Sequence, residues 1–119
     1  MATMTYANSR HAPVRTARRL HATGGRLLIA AEAGDDRRRG EAGHVDESNG
    51  LTDDQWRKLA KGLHDLADNL EPMGMRVVFH NHVGTYVETQ AETMRVPLSA
   101  MAALEVGSAA SRDRACYVV

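Results

Sequence analysis

Cysteine is almost missing from this chain: Cys116 is alone among 119 residues, so no disulfide can close within it. A cytoplasmic location is the simplest expectation. Net charge is missing too. Fifteen basic residues balance fifteen acidic ones, leaving no global field to draw the chain to nucleic acid or an anionic membrane. One phenylalanine, one tryptophan and three tyrosines offer few stacking platforms, which argues against single-strand nucleic-acid binding. No apolar run approaches the ~20 residues of a membrane span. Arg10, Arg15, Arg18 and Arg19 are followed by no apolar core segment, so a secretory signal is not expected. The length suits one small domain burying about 65% of its unfolded surface. It falls far short of the ~250 residues of a closed (β/α)8 barrel.

What is present is α/β patterning. Residues 1–12 have no period and are expected to fray. From Pro13, the spacing of Val14, Ala17 and Leu20 predicts a short helix, stopped by Gly24 and Gly25. Arg26–Ala31 is short, apolar and preceded by glycine, which predicts a buried strand. Residues 32–50 then form a long polar loop, a length usually functional or disordered. Its Asp35-Asp36-Arg37-Arg38-Arg39 run suits either a bound phosphate or carboxylate, or a solvated, self-neutralising loop.

The next helix is the most fully specified element. Thr52 and Gln55 make a capping box, and Leu51 with Trp56 stand at the positions of a hydrophobic staple. Trp56, Leu59, Ala60, Leu63, Leu66, Ala67 and Leu70 recur at helical spacing, leaving His64 on a polar face. Pro72 and Gly74 end the helix, and a strand Met75–His80 follows. Strand, helix and strand imply a right-handed crossover with parallel strands. A second capping box, Thr89 to Glu92, opens another helix, which Pro97 interrupts. Residues 98–106 could resume it, and residues 107–114 resemble a tail.

Chemistry concentrates in Arg76-Val-Val-Phe-His80-Asn81-His82-Val-Gly84-Thr85-Tyr86-Val-Glu88-Thr89. Imidazoles at i and i+2 of an extended backbone share a face. Imidazole plus carboxylate is a donor mixture for zinc, manganese or cobalt. The pair also falls at the carboxyl end of its strand, the edge where parallel sheets and barrels bind ligands.

The segments GRLLIAAEAGDDRRR, GLTDDQWRKLAKGLHDLA and MRVVFHNHVGTYVET together resemble inosose dehydratase, a family of the xylose-isomerase-like TIM barrels that also include sugar isomerases and epimerases. The resemblance covers roughly residues 15–95. It implies a partial (β/α)8 TIM barrel over residues 13–95, about two parallel strands with covering helices, and an unassigned tail over 96–119. It also implies a lyase of inositol catabolism that removes water from a keto-inositol or acts on a related sugar, aided by a divalent manganese or cobalt ion. Carried over residue by residue, Glu88 is the metal glutamate, and His80 and His82 contact substrate or transfer protons. Asn81, Thr85 and Tyr86 are candidate substrate-binding residues.

The family pattern fades after Thr93. The strands that supply its aspartate, its remaining histidine and its second glutamate have no counterpart here, nor do the first barrel strands. The expectation is a central piece of the enzyme with little activity alone, and the residues after Arg95 would fit a shifted reading frame. Unpaired barrel edges would favour self-association. Two alternatives stand beside this reading: an inactive truncated remnant, and a His-x-His metal hydrolase. The metallo-β-lactamase pattern needs an aspartate where Gly84 stands.

Overall fold

The computed structural model describes residues 3–6, 12–96 and 117–118. Its elements are strand β1 (Thr3–Tyr6), helix α1 (Ala12–Ala22), strand β2 (Leu27–Glu32), short helix α2 (Asp36–Gly40), helix α3 (Asp53–Leu70), strand β3 (Arg76–Phe79), helix α4 (residues 90–96) and strand β4 (Tyr117–Val118).

The best-determined element from local chemistry is α3. The Thr52 hydroxyl accepts from the Gln55 amide, and the Gln55 side chain accepts from the Thr52 amide, so two orphan donors of the first turn are satisfied reciprocally. Asp53 and Asp54 lie in that first turn, where the helix dipole favours negative charge. Trp56, Leu59, Ala60, Leu63, Leu66 and Leu70 are all buried, as their spacing requires. Each fully buried leucine among them contributes roughly 1.5–3 kcal/mol relative to exposure. The helix stops after Leu70 in a 3-10 turn, Glu71–Met73, and Gly74 then takes the left-handed conformation.

β2 and β3 are parallel, with Leu28 opposite Val77 and Ala30 opposite Phe79. Those four side chains face the helices and join Ala17, Trp56, Leu63 and Leu70 in one core. Ile29 and Val78, also opposite one another, lie on the other face and are half-buried. α1 packs on α3, and α3 on β3, so both helices cover the same side of the sheet. Parallel strands joined through helices that shield one face are the repeating unit of a (β/α)8 barrel. The α/β, partial-barrel reading thus holds.

The sheet is wider than two strands. Its order is β1-β2-β3-β4, parallel throughout. Within the segment 1–12, expected to fray, Thr3–Tyr6 pair with Ile29–Glu32. Four residues are too few to display a period, and the stabilising term is the ladder to β2, which lies far along the chain. Tyr117 and Val118, inside the segment left unassigned above, pair with Val78 and Phe79. The expectations for residues 97–116, including the effect of Pro97 and the tail at 107–114, lie outside the described residues. Among the described residues no helix is long and apolar enough to cross a membrane.

Candidate functional site at the strand ends

The His80 amide donates to Ala30 O at 2.8 Å, extending the β2–β3 ladder one residue past β3. Strand alternation therefore carries His80 to the side of Val78, away from the helices. A tight turn follows. His82 O accepts from the Thr85 amide at 3.3 Å and from the Thr85 hydroxyl at 2.7 Å. Gly84, at φ +79°, supplies the positive φ that the third position of this turn demands. The His82 amide donates to Val87 O at 3.1 Å and closes the loop.

His80 and His82 come together at its mouth, with ring centroids 6.1 Å apart and planes at 76°. His80 is half-buried and His82 exposed. His82 Nδ1 lies 2.8 Å from Val83 O; a carbonyl only accepts, so in the neutral ring the proton sits on Nδ1 and the lone pair on Nε2. Asn81, between them, is half-buried.

The other candidate residues serve the loop itself. Thr85 is 5% exposed, and its hydroxyl, besides donating to His82 O, accepts from the Val87 amide at 3.1 Å. Tyr86 donates its phenol to Asp35 Oδ2 at 2.6 Å. That bond, with burial and the Asp35 charge, raises the Tyr86 pKa. The same bond is the largest cause holding Asp35 below the usual carboxylate range, followed by the Arg38 amide.

Glu88 is engaged through both oxygens. Oε1 accepts from the Gly43 amide at 2.7 Å and Oε2 from the Gly84 amide at 2.6 Å. The Gly84 amide, ahead of the Gly43 amide and the charges of Arg38 and His44, holds this carboxyl below its usual range against an opposing push from burial. Manganese or cobalt needs several donors converging on one point. No group of three or more His, Cys, Asp or Glu side chains converges among the described residues. With Glu88 committed to backbone amides as well, the described residues do not fit such an ion.

Three charged residues that the sequence did not assign to the site tie it together. Arg38, only 1% exposed, donates from Nε to Thr85 O at 2.8 Å and from Nη2 to Glu92 Oε1. Its guanidinium also lies 5.0 Å from the Tyr86 ring centroid. Of the two readings of the Asp-Asp-Arg-Arg-Arg run, Arg38 thus meets a carboxylate, and it is the chain's own. Glu92 completes the second capping box, its Oε2 accepting from the Thr89 amide at 3.0 Å and the Glu88 amide at 2.9 Å. Glu32 Oε2 accepts from the amides of Gly34 at 2.8 Å and Tyr86 at 2.6 Å. The one available sign of Glu32 was its place just past a predicted strand, as the first residue of the polar loop.

No family model matches the chain. It is 39% identical over 82 residues to the inosose dehydratase of Lacticaseibacillus casei, covering 65% of this chain and 26% of that protein. The Geobacillus kaustophilus inosose dehydratase is 38% identical over 82 residues, with the same coverage of each. That of Serratia proteamaculans is 33% identical over 76 residues, 64% of this chain and 26% of that protein. The chain thus spans about a quarter of the length of these curated relatives. Over the matched stretch, this chain is inosose dehydratase-like in sequence.

Proposed function

We propose that this chain carries the proton-transferring strand end of a dehydratase acting on a keto-inositol. The observation that bears most weight is the His80–His82 pair, two imidazoles 6.1 Å apart at the carboxyl edge of a parallel sheet. The sequence likeness to inosose dehydratases supplies the substrate class.

The chemistry asks for two proton transfers. A carbon next to a ketone is acidic because its conjugate base is an enolate. A base must take that proton, and an acid must protonate the hydroxyl that leaves from the next carbon as water. His82 Nε2, carrying the lone pair, is the base of this reading. His80, in its protonated form, delivers the proton to the departing hydroxyl. Asn81, the residue between them in sequence, is in this reading the candidate to hold a sugar hydroxyl. Thr85 and Tyr86 act one step back, by fixing the loop through His82 O and Asp35. A pair of acid–base groups contributes about 10²–10⁴-fold per proton transfer. The chain spans about a quarter of the relatives' length, and slow turnover is expected of it by itself.

The test is inosose titrated into the chain in D2O, followed by NMR. Expected are shifts of the His80 and His82 ring protons and exchange of the substrate proton beside the ketone, both lost in His80→Ala/His82→Ala. Exchange no faster than with free imidazole at equal concentration, together with unmoved ring signals, would sink the reading.

A further inference from the structure

The Glu88 carboxylate is an anion gripped from inside the molecule. Its two donors come from different turns: Gly43 in the turn after α2, and Gly84 in the loop bearing His80 and His82. Both glycines have positive φ, +78° and +79°, and their amides converge on the two oxygens of one carboxylate. The charges of Arg38 and His44 lie close by and favour a negative occupant.

The two turns are in physical contact, independently of that carboxylate. A Cβ at Gly84 would lie 3.5 Å from Arg39 Cα and 3.8 Å from Ala42 Cβ. A Cβ at Gly34 would come within 2.3 Å of Gly84 O. The His-x-His loop therefore rests directly on the backbone of residues 34–42, and Glu88 spans the seam. A carboxylate accepting two amide bonds of 2.6 and 2.7 Å is strongly held.

We propose that Glu88 is a clasp and not a metal ligand: it occupies a carboxylate-binding seat made by the Gly43 and Gly84 amides, and so positions the loop that presents His80 and His82. The seat is a site in its own right. Emptied of Glu88, it would accept a small carboxylate such as formate. The inference stands on the seam geometry and does not depend on which substrate the loop serves.

Glu88→Ala and Glu88→Gln in the full chain test it, with the Gly43 and Gly84 amides and the two imidazoles followed by NMR. In Glu88→Ala both amide signals should move upfield and the imidazole signals should shift, with the thermal midpoint falling by roughly 5 °C. Added formate should restore the amide positions, the imidazole positions and most of the midpoint in a saturable way, while leaving the unmutated chain unchanged. Glu88→Gln, which keeps one good acceptor, should retain one of the two amide shifts. Failure of formate to restore any signal in a folded Glu88→Ala chain would overturn the seat. Manganese supplies the opposing arm. If stoichiometric manganese broadens Gly43 and Gly84 in the unmutated chain and Glu88→Ala abolishes that broadening, Glu88 is a ligand and the clasp is wrong.

Discussion

Arg38→Met removes a nearly buried cation whose partners span the site, and its cost can be worked from those partners. Breaking a buried ion pair from one side typically costs about 3–5 kcal/mol. The low end applies, because Glu92 Oε2 keeps the amides of Glu88 and Thr89. Thr85 O loses its Nε–H donor, which adds about 1–2 kcal/mol for a buried acceptor left unpaired. Against this, Arg38 Nη1 is buried with no hydrogen-bond partner among the described residues, and deleting it returns about 1–2 kcal/mol. The net expectation is about 3 kcal/mol of lost stability. At an m-value near 1.5 kcal/mol/M this moves the urea midpoint down by about 2 M. Trp56, the only tryptophan, is buried in the core and reports unfolding by fluorescence. The decisive comparison is the double variant Arg38→Met/Glu92→Met. Glu92→Met alone strands a buried guanidinium and should cost about as much as Arg38→Met, whereas the double loses only the cap and the Thr85 contact, about 2 kcal/mol. A midpoint shift below about 0.3 M for Arg38→Met, or a double loss equal to the sum of the singles, would refute this account.

Other perturbations test other links. Thr52→Ala should cost about 1 kcal/mol by stripping the α3 cap, seen as a lower urea midpoint with an unchanged slope. Gly34→Ala should destabilise far more than Gly74→Ala. Both positions have φ of +65°, but only at Gly34 does the added Cβ meet a carbonyl, Gly84 O at 2.3 Å. Gly74→Ala should cost about 1 kcal/mol from its backbone conformation alone. The Tyr86 phenol should ionise above the ordinary tyrosine range, and Asp35→Asn should bring it back down, read by ultraviolet titration against Tyr86→Phe. With its folded pKa raised, Tyr86 contributes stability that is complete below the free-tyrosine value and is lost as pH climbs through the raised one. For Asp35 the sign reverses. Its depressed pKa contributes stability above the ordinary aspartate value, lost as pH falls through the lowered one, and Tyr86→Phe should shrink that acid limb.

What the sequence made legible was local. The Thr52 and Thr89 capping boxes, the apolar stripe of α3 and the two inner strands all depend on residues a few positions apart, and all are present. The placement of His80 just past a strand end followed from the same arithmetic. What escaped depends on distant partners. Nothing near Arg38 distinguishes it from its exposed neighbours Arg37 and Arg39; Thr85 and Glu92, 47 and 54 residues further on, make it a buried residue. β1 has the same character, since a four-residue strand has meaning only beside β2. The Glu88 carboxylate could be recognised as chemistry but not as a bond across a seam, because Gly43 and Gly84 carry no side chain to announce their role.

The all-parallel ladder has a consequence for how the chain reaches this state. No described strand pairs with a neighbour across a short hairpin, so every pairing waits on the closure of a long loop. During synthesis β2 leaves the ribosome with one edge bare and must wait there until α3 and then β3 have been made. α3 carries its own cap and apolar stripe, so it can take helical form early and offer a surface on which β3 is caught. Refolding should accordingly be slow next to a helical bundle of this length, and most exposed to aggregation in the interval when that edge of β2 is bare.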